Sequence, residues 1–490
     1  MSAYLLIPVL LPVLTGALLP LFSFQNRRAR EGYVLAFTML NSLVIAGLLL
    51  LLPEDREFII FRISEAMPIQ LHMDGMSRMF LGLIAFLWPL ASVYALEYMK
   101  HEGGENAFFS YYLMTYGVTA GIALSENLVT LYFFYEFLTL VTLPIVMHGM
   151  KRKNVAAGRK YVLYSMGGAA FAFLGMIMVY VYAGTTDFAF GGVLTGIAEE
   201  KAQVLRVMYL FAAFGFGVKA AIFPFHGWLP TASIAPTPVT ALLHAVAVVN
   251  AGAFAILRIT YYSFGTSLLY GTWVQYVLMA AALVTILYGS SMALKEQHFK
   301  RRLAYSTISN LSYMIFGAAM MTPEGMVGAM AHFVFHGIIK ITLFFVAGAV
   351  LYQTGKSYVN DLFGYGRKMP VMFGCFTVAS VALIGVPPTV GFVSKWNLLT
   401  AAAGSEQPLV YAGIAVLLIS SVLTAMYLLS VVIKAYFPGP GFTAATAEEV
   451  KDPNGYMKVP MVILSIVTVV FGMFSAPFLS FLEEIAAGLK

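Results

Sequence analysis

The chain has 490 residues, of which 60% are hydrophobic and 11% charged, with a net charge of +6 at pH 7. A soluble domain carries about 25% charged residues, so lipid must be the solvent for most of this chain. The single cysteine, Cys375, excludes internal disulfides, cysteine-held iron–sulfur clusters and cysteine zinc sites, and the basic excess points to basic membrane loops rather than nucleic acid.

A span needs about 20 apolar residues. The sequence therefore predicts an all-α polytopic membrane protein with about fourteen transmembrane helices. They fall near 4–22, 33–52, 75–97, 107–124, 127–148, 157–182, 205–228, 236–260, 273–294, 303–320, 327–353, 371–402, 409–437 and 456–479. Tyr4–Phe22 lacks a basic leader and a small-residue cleavage site, and reads as a retained first helix. Glu57–Asp74 is too polar to span and reads as a small external hairpin.

Alternate loops hold the bases. One set carries Arg27, Arg28, Arg30 and Lys100, then Lys151, Arg152, Lys153, Arg159 and Lys160, and then Lys295, Lys300, Arg301 and Arg302. It continues with Lys356, Arg367, Lys368, Lys434, Lys451 and Lys458. The loop at 53–74 on the other side sets Glu54, Asp55, Glu57, Glu65 and Asp74 against Arg56 and Arg62. The positive-inside rule puts the basic set in the cytoplasm of a cell inner (plasma) membrane, with both termini outside.

Two spans are interrupted alike. The seventh passes Lys219 and meets Pro224 and Pro230; the twelfth meets Pro387, Pro388 and Gly391 before Lys395. Proline frees helical carbonyls that must find partners in protein or water. Matched breaks point to a transport site between inverted repeats, whereas ordinary proline kinks are the bland alternative. The expected organisation is an N-terminal three-helix segment (1–106), two inverted five-helix repeats (107–260 and 261–437), and a C-terminal loop with the last span (438–490).

Glu136, Lys219, Lys340 and Lys395 lie inside spans or at a break. A charge at the bilayer centre costs about 2.5–3.5 kcal/mol on insertion scales, so such residues mark ion or proton paths, or else static ion pairs between helices. Lys219 is the natural partner of Glu136. Separating a pair from 4 Å at a dielectric of 20 changes the energy by ~4 kcal/mol, and moving one charge through 100 mV takes about 2.3 kcal/mol. Opening one ion pair is thus the right size of event to drive a proton. His332, His336 and Lys340 recur every fourth residue, a stripe ~12 Å long suited to proton relay, since imidazoles titrate near neutrality. Haem or metal ligation would need a second paired-histidine helix, and none is visible; no redox cofactor or metal site is expected. His244 could link Lys219 to the centre or simply join two helices. His226 could admit protons or cap a helix end. Asn250 is interior but cannot carry a proton as charge. Lys395 could instead reach water by its long stem.

In this order the residues resemble the antiporter-like membrane subunits shared by respiratory complex I, Mrp-type Na+/H+ antiporters and membrane-bound hydrogenases. The resemblance rests on Tyr135-Glu136-Phe137-Leu138-Thr139-Leu140, Lys219 through Pro230, Ala235 through Ala245, Lys300 through Asn310, His332 through Lys340, and Gly391 through Lys395. It implies the fourteen-helix fold with inverted repeats and a polar axis in mid-membrane. It also implies Glu136 and Lys219 as a coupled pair, with Lys340 and Lys395 continuing the route. Asn250 stands where many members carry lysine, and Lys395 where some carry glutamate. The chain ends soon after the fourteenth span, which is most similar to the Mrp D-type and hydrogenase-type subunits.

The function expected is proton or Na+/H+ translocation inside a larger redox-driven or antiporter complex, in a role that is not itself redox catalysis. Expected partners are other antiporter-like and small membrane subunits and a soluble redox module, such as an NADH:quinone or hydrogenase type. The alternatives are an inactive subunit that anchors a soluble module, and an independent secondary transporter.

Overall fold

The computed structural model describes residues 2–22, 24, 26–51, 56–65, 67–438 and 450–489. Glu54, Asp55 and most of the loop before the last expected span lie outside these residues. In chain order, α1 (Ile7–Leu18) and α2 (Arg27–Leu51) precede an antiparallel hairpin of β1 (Glu57–Ser64) and β2 (Met67–His72), as expected for that polar stretch. Then come α3 (Gly75–Tyr98), α4 (Glu105–Ala123), α5 (Leu128–Val146), α6 (Arg152–Ala183), α7 (Glu199–Gly217) and the short α8 (Trp228–Ala232). α9 (Thr237–Ala245), α10 (Val248–Arg258) and the short α11 (Thr266–Leu269) lead to α12 (Trp273–Lys295), α13 (Phe299–Met320) and α14 (Pro323–Thr354). After the short α15 (Tyr365–Lys368) follow α16 (Pro370–Ile384), α17 (Val390–Ala403), α18 (Pro408–Tyr436), α19 (Gly455–Met473) and α20 (Ala476–Ala486).

Local chemistry sets the ends. Asp74 caps α3 by accepting from the Ser77 amide (2.8 Å), Asn127 caps α5 through Thr130 (2.8 Å), and Thr322 caps α14 through Gly325 (3.2 Å). Gly184 and Gly355 close α6 and α14 in the left-handed conformation. The last expected span ends at Met473, and a separate α20 begins within the stretch expected to continue it.

Ten helices among the described residues are long and apolar enough to cross a membrane. The other four expected spans fall on α4, α7, α13 and the α16–α17 pair. These helices are richer in polar or charged residues, or broken. α2, α6 and α18 present leucines and isoleucines outward, among them Leu43, Leu163 and Ile433, as lipid-facing helices do. α14 is the opposite: 94% of its most apolar stretch is buried. It packs against α3, α9, α13, α16, α17, α19 and α20, which places its polar residues at the centre of the bundle.

Candidate functional site

The first break ends α7 at Gly217 and leaves Lys219 beyond the helix end, fully buried. Its ammonium donates to the Tyr135 carbonyl and sits 3.5 Å from the centre of the Tyr135 ring, a cation–π contact strengthened by burial. Freed backbone groups are capped by side chains: Tyr135 Oη donates to Phe216 O (2.9 Å) and Trp228 Nε1 to Val218 O (2.8 Å). Gly252 of α10 lies against this turn, where a Cβ would stand 2.5 Å from the Ala220 nitrogen.

The expected contact between Glu136 and Lys219 is not formed: among the described residues no ion pair within 4 Å joins them. Successive helical residues point about 100° apart, so Tyr135 and Glu136 cannot both face the lysine. Glu136 instead lines a 650 Å³ cavity with Ile63, Met67, Tyr132, Phe137 and Phe173, and one carboxylate oxygen is buried without a hydrogen-bond partner. The pair is linked through the Tyr135 backbone rather than by touch.

The eighth expected span is not continuous. α9 stops at Ala245, α10 starts at Val248, and the Val246 and Ala247 amides both bond the Leu242 carbonyl (3.1 and 2.9 Å). No proline or glycine announces this interruption, which lies beside His244. His244 Nε2 pairs with Ser233 Oγ (3.0 Å) and its ring packs 4.7 Å from Phe344, while Nδ1 has no partner. Asn250 is fully buried and neither side-chain polar atom is bonded. Native proteins satisfy such buried polar atoms with protein or water.

In the second half, Lys340 Nζ donates to Leu303 O (3.1 Å) and Ser306 Oγ (2.6 Å), both on α13. The His332–His336–Lys340 stripe is present but is not a hydrogen-bonded wire. His332 Nδ1 pairs with Ser394 Oγ (2.9 Å), its ring stacks 5.9 Å from His336, and neither His336 nitrogen has a partner. The second break separates α16 from α17. Lys395 is buried there rather than turned to water, donating to Ile384 O and Ser421 Oγ (3.1 Å each), with its ammonium 5.1 Å from the centre of the Tyr313 ring. Gly391 is required, since a Cβ would fall 1.8 Å from Ala382 O.

His226 is half-buried, stacked on Phe223 (5.6 Å) and tilted against Tyr288 (4.5 Å), with Nδ1 unbonded. Sequence reasoning missed the aromatic seats Tyr135 and Tyr313, although for Tyr135 the adjacent mid-span acid was a visible signal. It also missed buried Lys300, which donates to Ala235 O (2.8 Å). A further cluster joins Asp74 to Arg258 through two bonds (2.5 and 2.7 Å) and His72 to Glu126 (2.5 Å). Burial disfavours the His72 cation, but its bond to Glu126 outweighs this and holds it above the ordinary histidine value. Burial pushes the Glu126 carboxyl up.

The family profile described as NADH:quinone oxidoreductase/Mrp antiporter, TM, matches residues 125–424, and that of complex I chain 5 N-terminus matches 63–109. The chain belongs to the NADH:quinone oxidoreductase/Mrp antiporter transmembrane family. Among curated members of this family, NADH-quinone oxidoreductase subunit N of Desulforudis audaxviator is 33% identical over 84% of this chain and 83% of its own. A Na(+)/H(+) antiporter subunit of Alkalihalophilus pseudofirmus is 30% identical over 82% of this chain, which spans 52% of that longer protein. In fold, the chain matches a subunit of an archaeal membrane-bound sulfane sulfur reductase with TM-score 0.86 at 22% identity, over 99% of this chain and 97% of that one. Both lysines at the breaks and the Tyr135–Glu136 pair fall within the first matched segment.

Proposed function

We propose that this chain is a proton-translocating subunit of a multi-subunit membrane complex, driven by a redox module or by an opposing Na+ gradient. The observation that carries the reading is the paired arrangement of Lys219 over Tyr135 and Lys395 over Tyr313, each at a helix break. Unbonded atoms of His244 and Asn250 lie on elements between them. Protons enter near His226, pass Lys219, His244 and Lys340, and leave by Lys395. Across its cavity, Glu136 answers to a neighbouring subunit. The reading includes fourteen spans in two inverted repeats, both termini outside the inner membrane, and other antiporter-like and small membrane subunits as partners. Relatives that assemble in complex I and Mrp systems support it.

Identification of co-purifying partners tests the drive: nickel- or flavin-bearing proteins mean a redox pump, small membrane subunits alone an antiporter. Proton flux in everted vesicles tests the chain itself, and normal pumping by Lys219→Ala would sink the mechanism. An inactive, anchoring subunit is the second reading, favoured by Asn250, which puts no titratable group at that point of the axis. It predicts no flux loss in the same variant.

A further inference from the structure

Lys340 does not turn toward the histidines of its own helix. Its hydrogen bonds go to α13, and Ser306 Oγ, which accepts one of them, also accepts from Tyr427 Oη of α18 (2.8 Å). Tyr427 Oη reaches Thr424 Oγ1 (3.2 Å). One turn further on the same face is Ser421, whose hydroxyl holds the Lys395 ammonium (3.1 Å). Tyr313, under that ammonium, lies within reach of Ser420 and Ser421 and bonds Leu417 O (3.1 Å). Residues 421, 424 and 427 are spaced by three, so their side chains neighbour one another along about 9 Å of α18, where the resting Thr424 hydroxyl donates to Ser420 O (2.7 Å). The Thr424 and Ser421 side chains stand about 5–6 Å apart, a gap that one water spans.

We infer that Ser306, Tyr427, Thr424 and Ser421 form a hydroxyl relay carrying protons between Lys340 and Lys395, in place of the His332–His336 stripe. The inference rests on the proton-translocating reading above. One proton moves per passage. The lysine that releases it becomes a neutral amine, the other, neutral beforehand, becomes an ammonium, and each hydroxyl, like the water between Thr424 and Ser421, accepts one proton as it gives up its own. Arg302 closes the far end of the relay, donating to Tyr427 O and Ser430 Oγ (3.0 Å each). A fixed guanidinium there repels a proton that would leak past Tyr427.

The test measures proton flux in everted vesicles carrying the whole complex, driven by its own redox substrate or by an imposed Na+ gradient. Lys395→Ala is the control for the underlying reading and must abolish flux; if it does not, that reading fails first. Given that loss, Tyr427→Phe, which keeps the ring, and Ser421→Ala should each slow flux about tenfold. The double variant should fall no further than either single, because both cut one wire. His336→Ala should leave flux within about twofold. Equal amounts of assembled complex in each membrane separate lost transport from lost folding. Wild-type flux in Tyr427→Phe, or a large loss confined to His336→Ala, overturns the relay while leaving the transport reading intact. Fully additive losses in the double variant also overturn it, since they mean separate positioning effects.

Discussion

The two helix breaks are built on one plan and differ in one charge. At the first, Lys219 sits over Tyr135 and the next residue is Glu136; at the second, Lys395 sits over Tyr313 and the next residue is Met314. In both, a tyrosine hydroxyl holds a backbone carbonyl: Phe216 O of α7 at the first break, and Leu417 O within neighbouring α18 at the second. The lysine seat is therefore a shared device, and the carboxylate is an addition to one copy. A carboxylate nearby favours the ammonium, so the first lysine has an acid close by, though not in contact, while the second rests on dipoles and an aromatic face. On the proposed reading, control would belong to the first break and passage to both.

This comparison can be broken most directly at the lysines. Lys219→Ala and Lys395→Ala should each reduce vesicle proton flux to background with the complex still assembled; survival of flux in only one would show that the two seats are not equivalent. Glu136→Gln should slow coupled flux about tenfold, the equivalent of ~1.4 kcal/mol of lost coupling. Met314→Glu should give the second break the first one's counter-ion and slow flux similarly, with Met314→Gln near wild type. Gly391→Ala and Gly252→Ala test the backbone of each break, and overpacking of this kind costs about 1–3 kcal/mol. Thermal unfolding in detergent should fall further for Gly391, whose added Cβ meets a carbonyl at 1.8 Å against 2.5 Å to a nitrogen at Gly252.

The smallest effect lies outside the spans. His72 and Glu126 both hold their protons more tightly folded than unfolded. Their contribution to stability is therefore greatest in acid and declines as pH rises. Glu126 loses its share from 4.5 up to its raised value, and His72 loses its share from 6.5 up to its own. Melting of the purified complex should drop modestly across that window, and Glu126→Gln should flatten the slope above 6.5.

The architecture was legible in the sequence because lipid demands long apolar runs, and because Pro224, Pro387 and Pro388 mark both breaks. Lys219, Lys340 and Lys395 were legible because buried charge is rare. What each charge touches was not. The spacing of His332, His336 and Lys340 puts them on one helical face, but it says nothing about which neighbour that face meets, and Ser306 of α13 takes the lysine. The adjacency of Tyr135 and Glu136 hid the fact that only one can face Lys219. The interruption after His244 has no proline or glycine to mark it in the sequence; it lies where α14 packs closely, Gly337 being so near Ala245 O that a Cβ would stand 2.9 Å away.

The bonds of Lys340 also bear on how the chain is made. Its ammonium is held by Leu303 O and Ser306 Oγ, on the helix synthesised immediately before its own. α13 and α14 can thus leave the ribosome and enter the bilayer as a hairpin, with this buried cation already bonded. Lys219 has the same protection, for Tyr135 also precedes it in translation. Lys395 is different: Ile384 O is made earlier, but Ser421 arrives only with α18. Insertion of the second break is complete only once that helix follows it in, which makes α18 the late clasp in the biogenesis of the transport core.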